Sequence, residues 1–392
     1  HGVKPFDEMP FNTSPIGHNP KLQDLFECIS IEGRECEFLA RIIRNNTEVH
    51  GILYSPKHEF QFDDIEQLIQ DYNDRLYAGH KPRRNIEQYK SHLYINEYEE
   101  DTYQIIRRLK ELSCQGISNY SNSVDIWLRT NTYTIDCDEK RDALRSMFSH
   151  SKVALIYGSA GTGKSTQINH ISNFFKDNSK IYLANTNPAI DNLRRKVNAA
   201  NSSFMTITKF LSRVNSNTEC DILFIDECST VSNADMIKVL QKATFKLLVL
   251  VGDIYQIESI SFGNWFAVAK SAVPNTSVFE LKHPYRSSNN QLQEFWDKVR
   301  NNSDDILEHI ARNNYSVSLD ESIFQSQDKD EIILCLNYDG LYGINNINRF
   351  LQSSNTNPSV QWGPHVYKVG DPILFNESNR FAPLIYNNLK GE

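Results

Sequence analysis

Val153-Ala-Leu-Ile-Tyr157-Gly158-Ser159-Ala160-Gly161-Thr162-Gly163-Lys164-Ser165-Thr166 is the stretch whose reading decides the fold. Its first five residues form a short apolar run of buried-strand type, and Ile168, Ile171 and Phe175 follow it in a helical pattern. The order is strand, loop, helix. Gly158 to Ser165 fits G-x-x-x-x-G-K-[ST], in which glycines let consecutive backbone N–H groups wrap a phosphate chain at a helix N-terminus. Lys164 is placed to reach β- and γ-phosphates, and Ser165 to offer its hydroxyl to magnesium. Thr166 opens the helix behind them. A chance match in a glycine-rich turn would not need the strand before it and the helix after it.

Working outward, apolar runs recur at Lys180 to Ala184, Asp221 to Ile225, Lys246 to Val251 and Ser277 to Leu281, separated by helical or loop text. That is the rhythm of a parallel sheet flanked by helices, and a RecA-like α/β domain is the expected architecture. Asp221-Ile-Leu-Phe-Ile-Asp226-Glu227 ends one buried run in two carboxylates. Asp226 is expected to hold magnesium, and Glu227 to polarise an attacking water, which binding alone would not require. Leu248-Val-Leu-Val-Gly252-Asp253-Ile-Tyr-Gln256-Ile-Glu-Ser259-Ile260 delivers Gln256 to the carboxyl edge, where a polar side chain can sense a γ-phosphate.

With these motifs in place the chain resembles superfamily one helicases, most closely the RecD-like branch, among P-loop ATPases of AAA type. The resemblance runs from about Thr134 to Glu392. It implies ATP and Mg2+ as cofactors, single-stranded nucleic acid, DNA before RNA, as partner, and movement from 5′ to 3′. Ala184-Asn-Thr186-Asn187-Pro188-Ala-Ile-Asp191-Asn192-Leu looks like the family's strand-binding motif, and Arg194, Arg195 and Lys196 follow at once as a local cationic patch. Thr208, in Thr206-Ile-Thr208-Lys-Phe210-Leu, resembles a further phosphate contact. Leu281-Lys-His-Pro-Tyr285-Arg286 matches the motif whose arginine crosses to the γ-phosphate, making Arg286 the expected arginine finger and Tyr285 a stacking partner for adenine or a core residue. Lys140 stands where the family usually carries an adenine-reading glutamine. The family's last two motifs are not reached before Glu392.

Three regions are expected: a mixed accessory domain without a motif over residues 1–125, a first RecA-like lobe over 126–281, and a partial second lobe over 282–392. In the first, Phe62 to Leu76 and Tyr103 to Leu112 read as helices with a core face. Glu37 to Ile43 and Val49 to Ser55 flank Asn45-Asn46 and read as a hairpin or a short helix. In the last, Leu292 to Val299 and Gly343 to Leu351 read as helices and Glu331 to Leu336 as a strand. The accessory domain is a candidate docking place for a protein partner.

The chain has 392 residues and a net charge of −8, so any nucleic-acid contact must come from local basic patches. Seven scattered cysteines, never in C-x-x-C spacing, fit neither a disulfide framework nor a zinc site, which points to a reducing cytoplasm. No apolar run reaches the roughly 18 residues of a membrane span. The His1 start and Glu392 stop read as fragment ends. The functional reading is a motor that hydrolyses ATP to move along one strand, with an ATP-gated binding switch as the alternative.

Overall fold

The computed structural model describes residues 30–131, 133–197, 199–212, 218–256, 259–283, 289–316, 333–363, 365–375, 385 and 389–391. Contacts divide the chain into two units, residues 1–286 and 287–392.

The first unit begins with helices α1 (Glu35–His50), α2 (Ile65–Arg75) and α3 (Lys81–Arg84) around a small antiparallel sheet of β1 (Ser55–Pro56), β2 (Ile86–Tyr89) and β3 (His92–Ile95). Their core joins Leu39 and Ile43 to Tyr72, Ile86 and Leu93. Of the hairpin and the short helix left open around Asn45-Asn46, the structure has a helix; both asparagines lie inside α1. The reason is legible in the apolar residues Cys36, Leu39, Ala40 and Ile43, which recur at i, i+3, i+4 and i+7 and are all buried. The chain turns instead at Gly51, where φ is +68°.

Helices α4 (Asn96–Ser113), α5 (Tyr120–Thr130) and α6 (Asp138–Ser146) lead into strands β4 (Val153–Gly158), β5 (Lys180–Ala184), β6 (Ser202–Thr206), β7 (Glu219–Ile225), β8 (Thr244–Gly252) and β9 (Val278–Leu281). All six pair in parallel, in the order β6-β5-β7-β8-β4-β9. Helices α7 (Lys164–Phe174), α8 (Asn187–Lys196), α9 (Ile207–Ser212), α10 (Asn233–Lys242) and α11 (Trp265–Ala272) connect them. This is the RecA-like α/β architecture.

The strands read as continuous apolar runs because both sheet faces are covered. Along β4 the faces alternate. Val153, Leu155 and Tyr157 join Ile105 and Leu109 of α4, Met236 and Val239 of α10, and Trp265 of α11. Ala154 and Ile156 join Val124 of α5, Leu144 of α6, Ile168 and Ile171 of α7, and Leu193 of α8. Helix α4, expected within the accessory region, therefore supplies part of the core of the large sheet. Strand β6 was not expected from sequence; it is an edge strand in which only Met205 is buried.

In the second unit, α12 (Asn290–Arg300) and α14 (Ile344–Ser354) match the expected helices near 292 and 343, and α13 (Ile306–Arg312) was not expected. Residues 333–336 are not a strand, while Glu331 and Ile332 lie outside the described residues. The described strands, β10 (Ser359–Trp362) with β11 (His365–Lys368) and β12 (Ile373–Phe375) with β13 (Leu389–Gly391), form two antiparallel ribbons. Asp371 ties a ribbon to α14, accepting hydrogen bonds from Gln352, Asn355 and the Lys368 N–H.

Candidate nucleotide and nucleic-acid site

Strand β4 ends at Gly158 and α7 starts at Lys164, so residues 159–163 form a loop opening onto a helix N-terminus. Gly161 and Gly163 take φ values of +88° and +83°, conformations that cost an L-residue about 1 kcal/mol or more. At Gly158 a Cβ would come within 3.1 Å of the Leu281 carbonyl oxygen, so the loop passes hard against the end of β9. Thr162 is buried, and its hydroxyl donates to the Ser159 carbonyl at 2.9 Å. The Lys164 ammonium donates to the carbonyls of Gly158 at 2.7 Å and Ser159 at 3.0 Å. Ser165 and Thr166 stand in the first turn of α7 beside it.

A Cβ at Gly163 would also run into the Lys140 side chain. Gly163→Ala therefore carries both backbone strain and a clash. The expected loss is about 1–2 kcal/mol of folding stability, together with weaker nucleotide binding, checked by denaturant titration and a fluorescent-nucleotide assay.

Asp226 follows β7, and its N–H donates to the Leu183 carbonyl at 2.9 Å, continuing the ladder to β5. One Asp226 carboxylate oxygen accepts the Glu227 N–H at 2.9 Å. Glu227 has φ of +54°, an unusual backbone for a residue with a side chain, and its carbonyl receives the Thr230 N–H at 2.9 Å and the Thr230 hydroxyl at 2.8 Å. Burial pushes the Asp226 carboxyl up, with the Glu227 N–H and the charges of Lys164 and Lys196 opposing. Glu227 is pushed up by burial and then by Asp226, with Lys164 opposing.

A carboxyl whose folded pKa is raised destabilises the fold once the solution pH rises above its unfolded value, near 4.3 for glutamate. Glu227→Gln removes that penalty. The nucleotide-free variant is expected to melt higher than the parent at pH 7, with the gain shrinking as pH falls toward 4; a pH series of thermal melts checks it.

The sheet order brings these parts together. Strand β8 lies between β7, which carries the acid pair, and β4, which carries the phosphate loop. Gln256 leaves the carboxyl end of β8 on an exposed turn, its N–H donating to the Asp253 carbonyl at 3.2 Å. Ser165 and Asp226 offer a hydroxyl and a carboxylate, hard oxygen donors of the type magnesium takes together with phosphate oxygens. Among the described residues no group of three or more His, Cys, Asp or Glu is arranged to hold a metal by itself. Tyr285 and Arg286 lie outside the described residues.

The expected strand-binding residues sit at the carboxyl ends of the adjacent strands β5 and β6. Thr186 caps α8, its hydroxyl accepting the Ala189 N–H at 3.3 Å, and Asn187 begins that helix, half-buried. Asn192, Arg194, Arg195 and Lys196 are exposed on α8, and Thr208 is exposed on α9. Arg194 is engaged within the protein, bonded to Asp191 at 2.9 Å and lying 5.7 Å from the Phe204 ring centre. The Asn185 amide donates to the Thr230 carbonyl at 2.9 Å, linking the entry to α8 with the turn after Glu227.

Sequence reasoning missed a charged cluster beneath the phosphate loop. Lys140 is only 1% exposed and pairs with Asp136, which also bonds His170 at 2.8 Å; Tyr133 completes the chain to His170 at 2.9 Å. The Gln167 amide donates to the Lys140 carbonyl at 3.3 Å. Burial would raise Asp136, but the hydrogen bonds from Lys140 and His170 bring it net below its usual value. The i, i+4 spacing of Asp136 and Lys140 was the available signal.

Residues 137–318 match a protein-family model described as an AAA domain. No curated protein matches. Solved structures that resemble the chain include the Pif1 helicase from Candida albicans, at 18% identity over 66% of this chain and 68% of that one, with a TM-score of 0.39. Pif1 from Bacteroides bound to ssDNA matches at 13% identity over 66% of this chain and 63% of that one, TM-score 0.38. Bacteroides sp. Pif1 with ADP-AlF4 matches at 15% identity over 66% and 69%, TM-score 0.40. None of the residue roles rests on those likenesses. Loop, acid pair and parallel sheet make up an α/β domain of RecA-like architecture with a phosphate-binding-type loop, and the AAA-domain match falls on it. The AAA-domain match does not single out the RecD-like branch.

Proposed function

We propose that the chain is an ATP-dependent translocase that hydrolyses ATP and moves along single-stranded nucleic acid, DNA before RNA, from 5′ to 3′, opening duplex that it meets. The observation that carries the reading is the convergence, at one sheet edge, of Lys164 on β4–α7, the Asp226-Glu227 pair after β7, and Gln256 after the strand between them. Storage of phosphate needs no second carboxylate and no polar sensor.

The N–H groups of residues 159–163 and the Lys164 ammonium bind the phosphates, the ammonium exchanging its two carbonyl partners for phosphate oxygens. Ser165 and Asp226 would hold magnesium, which would supply positive charge against the phosphates. Glu227, its proton affinity raised by burial, orients the attacking water and takes up its proton. Gln256 senses the γ-phosphate, and Arg286 is assigned the arginine-finger role from its motif. The α8 cations meet the strand backbone.

Displacement of a labelled strand tests the motor. A duplex with a 5′ tail should open with ATP while one with a 3′ tail should not; ATP-dependent binding with neither duplex opened would replace the motor by a nucleotide-gated switch. Arg195→Ala with Lys196→Ala is expected to weaken single-strand binding for all sequences alike and to flatten the log–log salt dependence by about 1.4, or 0.7 per phosphate contact.

No helix among the described residues is long and apolar enough to cross a membrane.

A further inference from the structure

Beneath the phosphate loop lies a cation that the proposed mechanism does not use. The Lys140 side chain, on α6, is 1% exposed, whereas the Asp136 carboxylate paired with it is 39% exposed. Taking an ammonium out of water is costly even when it is paired.

The fold fixes where this charge sits. A Cβ on Gly163 would run into Nζ and Cε of Lys140, which sets the ammonium against the last residue of the loop before Lys164. The buried Gln167 amide, one turn into α7, donates to the Lys140 carbonyl at 3.3 Å and so holds α6 against the helix that the loop opens. Asp136 is shared: one carboxylate oxygen meets Lys140, and the other bonds His170 of α7 at 2.8 Å.

The two charges of the pair do not act alike on the loop. Water screens the half-exposed carboxylate, while the field of the buried ammonium spreads through protein, where the effective dielectric constant is about 20 and not 80. The pair therefore presents its positive end to the loop. We infer that Lys140 is a second cation of the phosphate site, acting through the loop and favouring a nucleotide in proportion to its phosphate charge, triphosphate over diphosphate. The inference rests on the reading of residues 158–165 as the place where the phosphates bind. Its consequence is a weaker hold on the diphosphate product than on the triphosphate substrate.

Calorimetric titration of the full chain with ADP and with ATP, in EDTA so that magnesium is absent, tests the assignment. Lys140→Met is expected to weaken ADP by about tenfold and ATP by about threefold more than that, because the lost attraction grows with ligand charge. Asp136→Asn removes the screened carboxylate and leaves the ammonium, so both nucleotides should bind about threefold more tightly, ATP gaining more. A purely structural role would weaken ADP and ATP equally in either variant. That result in folded protein overturns the inference, as does a changed preference between ADP and GDP in Lys140→Met, which would make Lys140 a reader of the base. If circular dichroism shows Lys140→Met unfolded, Asp136→Asn decides: tighter binding supports the inference, and unchanged or weaker binding overturns it. A parent chain that binds neither nucleotide overturns the phosphate-loop reading itself, and the inference falls with it.

Discussion

ATP turnover by Lys164→Ala should fall to background. Lys164 is the cation that opens α7 at the mouth of the phosphate loop, with its ammonium held by the carbonyls of Gly158 and Ser159. Those partners fix the ammonium inside the loop, where it is positioned for the charge that develops on a transferring phosphoryl group. Removing one preorganised donor from such a site commonly costs about 10²–10³ in rate, and a cation facing a polyanion should lie at the upper end or beyond. Stability should barely move, because neither carbonyl loses a partner that water cannot replace; a change of about 1 kcal/mol is the expected ceiling. Turnover without loss of fold would place the chemistry elsewhere.

Glu227→Gln should separate binding from hydrolysis. The amide keeps the size of the side chain and cannot take up a proton, so turnover should drop by about 10²–10⁴ while the affinity for ATP stays close to that of the parent. Single-turnover measurements with a trapped ATP complex would show it. Since the same substitution removes a buried like-charge neighbour of Asp226, the inactive protein should also be the more stable one. Loss of ATP affinity in step with turnover would make Glu227 a structural residue.

How far the sequence could be read depended on whether local spacing carried the constraint. The loop between β4 and α7 was legible because its glycine, lysine and serine spacing is itself the phosphate cradle. Strands β7 and β8 were legible because burial on both faces leaves almost no polar residue inside them. Strand β6 was not: Ser202-Ser-Phe-Met-Thr206 lies at the sheet edge, where one buried side chain is enough. Around α1 the reading stayed open between hairpin and helix, because Asn45-Asn46 is a turn signal that an apolar stripe of helical period outweighs.

At the site, the insertion of β8, the strand that Gln256 follows, between β7 and β4 could not be read locally. The burial of Lys140 was hidden for a similar reason. It needs Asp136 beside it and Gly163 across from it, and only the folded chain supplies both. Arg194 was chosen for its charge, yet Asp191 and Phe204 already occupy it, which shifts the proposed strand contact toward Arg195 and Lys196.

The most direct test of the central claim is steady-state ATP turnover by the unmodified chain at low salt, with and without single-stranded DNA or RNA, beside Glu227→Gln. The account predicts magnesium-dependent hydrolysis that a single strand stimulates, and its loss in the variant. Equal turnover with and without either nucleic acid, or full turnover in Glu227→Gln, would contradict it.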